Sequence, residues 1–172
     1  MHHIGVLMVF MVLSFVLLFP LFKKRHESPQ NLYWLLAFTL AQSYVVGYIC
    51  THYEAQLVVQ AFVLTLAVTV GLTLFTFQTR VNMDGMGSYL FAGLMVVIFG
   101  SFLQIFIPMP AFSFVLSLAS ALLFSLYIVY DTWQIMHRMS TEDYVVATTE
   151  LYLDVINLFL SLLRILDALQ KN

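Results

Sequence analysis

Charge is scarce in this chain. Of its 172 residues only 9% are Asp, Glu, Lys or Arg, against 62% that are hydrophobic. A soluble domain carries roughly a quarter charged residues, so a water-soluble globule is excluded. The mean hydropathy of +0.93 agrees. A net charge of -2 gives no basic surface with which to bind nucleic acid. Cysteine is almost missing too. The single thiol, Cys50, excludes an internal disulfide framework and any multi-cysteine metal site. No basic n-region and no small-residue cleavage site opens the chain, so Met1-His-His-Ile-Gly reads as the start of a retained helix. His-Glu-x-x-His, Gly-x-Ser-x-Gly and P-loop patterns are absent. Intramembrane serine proteolysis needs a histidine at membrane depth, and none is placed there. Neither an enzyme nor a bound cofactor is expected.

What remains is long apolar sequence, and its charge-free gaps give the layout. No charged residue occurs before Lys23, from Ser28 to Tyr53, or from Ala55 to Thr79. The gap from Gly85 to Tyr130 is long enough for two spans, and Pro108-Met-Pro110 breaks it in the middle. A membrane span needs about 20 apolar residues. The expected fold is therefore all-α: a polytopic transmembrane bundle, one domain over 1–172, with spans at 4–22, 32–51, 55–78, 88–107, 111–137 and 144–168. Backbone in lipid must satisfy its own hydrogen bonds, which favours helices, and the alternation of a barrel is missing. Basic residues fall in alternate connections: Lys23, Lys24 and Arg25 in the first, Arg80 in the third, Arg138 in the fifth. The positive-inside rule puts those three in the cytosol. Six full spans then place both termini on the far side. Arg164 and Lys171 pull against that, and a re-entrant last helix is the alternative.

Two acids interrupt this apolar background. Asp131 and Asp154 both lie inside runs that read as transmembrane helix. An acid at bilayer depth costs about 2.5–3.5 kcal/mol on insertion scales, which marks it as a functional candidate. At about 100° per residue, Glu150, Asp154, Asn157, Ser161 and Arg164 fall within an arc of about 80°. On the preceding span Ser113, Ser117, Ser120, Tyr127, Asp131, Gln134 and Arg138 fall within about 100°. Thr65, Thr69, Thr73 and Thr76 form a third ladder, best read as hydroxyls bonded to their own helix backbone or to neighbouring helices. The connection between the last two spans is short, so they run antiparallel and adjacent. At about 1.5 Å of rise per residue both aspartates then lie roughly 10–15 Å below the same cytosolic surface. One reading has each acid pair with a basic neighbour or cap freed backbone. The matched depth favours the other: the two carboxyls touch, share a proton and titrate as one unit. Protonated, such a pair bridges two helices; deprotonated, it repels or admits a cation, and hard oxygen ligands suit Ca²⁺. In the last connection Ser140 or Thr141 is placed to cap the final helix, with Glu142 and Asp143 in its first turn.

Several stretches resemble a known family. They are Phe124-Ser-Leu-Tyr-Ile-Val-Tyr-Asp131, His137-Arg138, Thr141-Glu-Asp, Leu151-Tyr-Leu-Asp154-Val-Ile-Asn-Leu-Phe-Leu and Leu163-Arg164. In this order they resemble the C-terminal signature of the transmembrane Bax inhibitor motif family. Asn31-Leu-Tyr-Trp-Leu-Leu-Ala-Phe-Thr-Leu40, Gln60-Ala-Phe-Val-Leu-Thr65 and Leu74-Phe-Thr-Phe-Gln-Thr-Arg80 are most similar to its lifeguard branch, which includes the Golgi anti-apoptotic proteins. The resemblance implies helices wrapped around a hydrophobic last helix. It implies a pH-sensitive Ca²⁺ leak, with Ca²⁺ as the permeant ion, across Golgi or endoplasmic reticulum membranes and a role in suppressing cell death. Its partners would be the bilayer, Ca²⁺, protons and death-regulating membrane proteins. The resemblance makes Asp131 and Asp154 the pH-sensing, transiently Ca²⁺-binding pair, and sets Lys23, Lys24 or Arg25 to interact with it. The family has seven helices and this chain offers six; nor does it carry, between Met8 and Ser14, the acid that some members have. The alternative function is a non-conducting membrane protein that regulates cell death through helix contacts.

Overall fold

The structure is a computed structural model that describes residues 2–79 and 82–171, with side chains from residue 5 onward. Six α-helices follow one another: α1 His2–Lys23, α2 Gln30–Cys50, α3 Ala55–Gln78, α4 Met86–Phe106, α5 Pro110–His137 and α6 Tyr144–Gln170. A 3₁₀ turn, Thr141–Asp143, leads into α6. Each helix ends within two residues of its expected bound, because the punctuation is chemical. Pro110 opens α5 at a position where its missing N–H is no loss. Gly85 starts α4 at φ +83°, a left-handed conformation that a side chain resists.

Five helices are by length and composition able to cross a membrane: Gly5–Lys23, Gln30–Cys50, Ala55–Gln78, Met86–Phe106 and Pro110–His137. The expected sixth span, 144–168, forms a helix outside that set. The last helix is long enough, but Glu150, Asp154, Arg164 and Asp167 punctuate it. Arg80, expected in the third connection, lies outside the described residues. The outer surface is apolar in the manner of a lipid-facing protein. Phe15, Phe19, Val96, Phe99, Phe102, Ile105 and Leu122 are each more than half exposed, a surface too extensive for water to tolerate.

Two compact units make up the chain, and α6 contributes a segment to each. The first comprises Met1–Ala55 and Met139–Glu150. Here α1 and α2 form a hairpin, with Phe10 stacked on Tyr44 at 4.3 Å between ring centroids. Its buried side chains include Leu21, Phe38, Ala41 and, from the start of α6, Val145 and Thr149.

The second unit comprises Gln56–Arg138 and Leu151–Asn172. Its core is Ala121, Phe124 and Ile128 of α5 with Leu158 of α6; Val68 and Leu72 of α3 and Leu94 of α4 pack around it. Here α4 approaches α5 closely because it offers glycine. A Cβ at Gly93 would stand 2.8 Å from a Leu123 methyl, and one at Gly100 would stand 2.7 Å from a Leu116 methyl. Small residues at such crossings let membrane helices gain packing contacts that lipid does not supply.

Candidate functional site

Asp131 sits three residues after Ile128 and Asp154 four residues before Leu158, so the apolar contact of α5 with α6 carries both acids into the interior of the second unit. Each is only 6% exposed. Their carboxyls lie within hydrogen-bonding reach of one another. An acid pair of this kind bonds when one partner is protonated and donates its O–H to the other. Gln134, one turn further along α5, points its amide at the Asp131 Oδ1 from 3.4 Å. Tyr127, one turn earlier, is close enough to interact electrostatically with both carboxylates.

The polar stripes divide along their length. On α6, Asn157 donates to the Leu153 carbonyl at 2.8 Å and Ser161 to the Asn157 carbonyl at 2.7 Å. Glu150 is half-buried and Arg164 faces outward. On α5, Ser117 and Ser120 donate to the carbonyls four residues back, at 2.9 and 2.8 Å. Thr65 and Thr76 of α3 do the same, at 2.7 and 2.8 Å. These hydroxyls serve their own helices, as the threonine ladder led one to expect. Two do not. The buried Oγ1 atoms of Thr69 and Thr132 have no hydrogen-bond partner among the described residues. An orphaned buried hydroxyl calls for an ion, a water or strain, and Thr132 is the residue next to Asp131.

The basic residues of the first connection belong to the other unit, and their partners there are local. Lys23 ends α1 and is exposed. Lys24 lies 3.6 Å from Glu27 and donates to Gln30. Arg25 donates through Nε to His26 Nε2 at 3.0 Å. Sequence reasoning missed the residue that organises this end. Asn31 is 1% exposed and donates to the Arg25 carbonyl at 2.9 Å and to the Tyr144 hydroxyl at 2.8 Å. It thereby ties the α1–α2 connection to the first residue of α6. A lone Asn opening an apolar run was the only available signal. The cap before α6 was legible: Ser140 accepts from the Glu142 amide, and the Asp143 carboxylate accepts from the Ser140 N–H and hydroxyl, at 3.1 and 2.8 Å. Those bonds from Ser140, with smaller help from His26 and Arg25, hold the Asp143 carboxyl below the usual carboxylate range.

Among the described residues no three His, Cys, Asp or Glu side chains converge on a point where a metal could be held. A Ca²⁺ ion takes six to eight oxygens. The dyad offers two carboxylates, fewer oxygens than that ion takes.

Comparison with known proteins gives this arrangement a setting. A family model described as "Inhibitor of apoptosis-promoting Bax1" matches residues 1–171. Protein lifeguard 4 of Mus musculus is 45% identical over 167 residues, covering 97% of this chain and 70% of the relative. The Golgi anti-apoptotic protein of vaccinia virus (strain Lister) is 42% identical over 158 residues, 92% of this chain and 67% of the relative. Bax inhibitor 1 of Schizosaccharomyces pombe is 35% identical over 161 residues, 93% of this chain and 60% of the relative.

Proposed function

The chain belongs to the Bax inhibitor family, and from that premise we propose that it restrains cell death from within Golgi or endoplasmic reticulum membranes, as a Ca²⁺ leak controlled by the Asp131–Asp154 pair. The anti-apoptotic part and the Golgi setting are supported by the names of its relatives, a Golgi anti-apoptotic protein among them. The conduction and its proton control rest on one observation: two carboxyls from different helices, each 6% exposed, in reach of each other. With one proton between them the pair bridges α5 and α6 and closes the interior. With none, two like charges in a poorly solvated place repel, and the cheapest compensation is a cation. The orphaned hydroxyls of Thr69 and Thr132 would be further oxygens for a partly hydrated ion.

With connections one, three and five in the cytosol, α6 starts from the cytosolic side.

The test is Ca²⁺ flux into proteoliposomes across a pH series. The intact chain should conduct with a steep pH dependence, and Asp154→Asn should flatten it. An unchanged pH profile in that variant would rule the gate out. Flux no greater than in empty liposomes would favour a non-conducting protein acting through helix contacts.

A further inference from the structure

The first unit holds a contact between a base and an acid that neither dyad residue enters. In the α1–α2 connection, the His26 Nε2 lies 3.9 Å from the Asp143 Oδ1 at the entrance to α6. The two side chains are 48% and 27% exposed. The other carboxylate oxygen, Oδ2, is occupied by the two bonds from Ser140, so Oδ1 is the one that faces the imidazole. The same His26 Nε2 accepts a hydrogen bond from Arg25 Nε at 3.0 Å. A nitrogen that accepts carries no proton, so this geometry belongs to the neutral ring.

Protonation reverses each of these relations. Nε2 becomes a donor, its bond from Arg25 is lost, and two cations then face each other. The nearest anion is Asp143, and a charge-assisted N–H···O bond of about 2.8 Å needs an approach of roughly 1 Å. Histidine is the side chain that changes charge between about pH 5 and 8. Asp143, held below the usual carboxylate range by Ser140, stays ionised through that interval. The other charged groups around the contact are engaged elsewhere or exposed. Lys24 is with Glu27 and Gln30, and Glu142 is exposed. Tyr144 takes its bond from Asn31.

We propose that His26 and Asp143 form a proton-operated latch that draws the α1–α2 connection onto the entrance of α6 when the surrounding solution is acidified. The Asn31 bridge to Arg25 and Tyr144 holds the two segments in register whatever the pH, and the latch adds to it only when His26 is charged. The contact is present at low pH and lost as pH rises. It goes beyond the proposed Ca²⁺ gate and does not depend on it.

Amide hydrogen exchange of the full chain in lipid nanodiscs, corrected for intrinsic rates, reads the latch directly. An exposed pair of this kind is expected to slow exchange at 140–146 about two- to five-fold at pH 6 relative to pH 7.5. His26→Gln should remove that difference, and His26→Lys should give the slower exchange at both pH values. The wild-type difference should persist in Asp154→Asn, which separates the latch from the gate. Equal pH responses in the wild type and His26→Gln would overturn the proposal, as would pH-dependent protection in His26→Lys.

Discussion

The Asn31 bridge and the Asp131–Asp154 pair are both polar links buried in an otherwise apolar protein, and they are built on opposite principles. Asn31 presents two N–H donors to two oxygens, the Arg25 carbonyl and the Tyr144 hydroxyl. Donors meet acceptors, no group changes charge near neutrality, and the link holds at any ordinary pH. The aspartates present acceptor to acceptor. Their link exists only while a proton is there to complete it. Complementary chemistry makes a rivet; like chemistry, in the proposed gate, would make a switch. The first unit carries the Asn31 bridge at the mouth of α6, and the second carries the acid pair.

The contrast can be sharpened by substitutions in descending order of effect. Leu158→Ala removes a 1%-exposed side chain from the contact of α5 with α6. It should destabilise the protein by about 2–5 kcal/mol and loosen the contact that carries the acid pair, so thermal unfolding in detergent should shift most here. Asn31→Ala should lower stability by about 1–3 kcal/mol, equally at pH 5.5 and 7.5. A strongly pH-dependent loss would show that the bridge is no rivet. Arg138 pairs with Asp84 at the surface, the two side chains 47% and 54% exposed, while its guanidinium lies over the Trp133 ring. Asp84→Ala should change stability by less than about 1 kcal/mol, and the effect should vanish in high salt. The smallest effect belongs to Asp143. Its carboxyl is held below the usual range, so its contribution is complete above the ordinary Asp value of 3.8 and is lost as pH falls below that. An Asp143→Asn chain and the wild type should therefore converge in stability under strong acid.

Much of this architecture was legible because it is written in punctuation. Charge-free gaps, Pro108-Met-Pro110 and the Ser140-Thr-Glu-Asp143 cap set the helix ends within two residues. The burial and approach of Asp131 and Asp154 were legible because helical phase and a short connection jointly fix which faces of α5 and α6 meet. Composition is ambiguous at α6, where apolar sequence and charged residues alternate and the number of crossings depends on how they are weighed. The Asn31 bridge was invisible for a different reason. Its partner is Tyr144, 113 residues away, and nothing in a single Asn says which distant hydroxyl it will meet. The His26–Asp143 contact was hidden likewise: His26 carried no signal of its own, and Asp143 read only as part of the first turn of the last helix.

The central claim is that Asp131 and Asp154 act as one proton-sharing unit. The most direct measurement is the pH profile of Ca²⁺ flux through proteoliposomes carrying the wild type, Asp131→Asn, Asp154→Asn and the double variant. If the pair is one unit, either single substitution removes the whole pH response and the double variant is no flatter than the singles. If each single variant keeps a part of the response and the losses add in the double, the two acids titrate independently and the shared-proton gate is wrong.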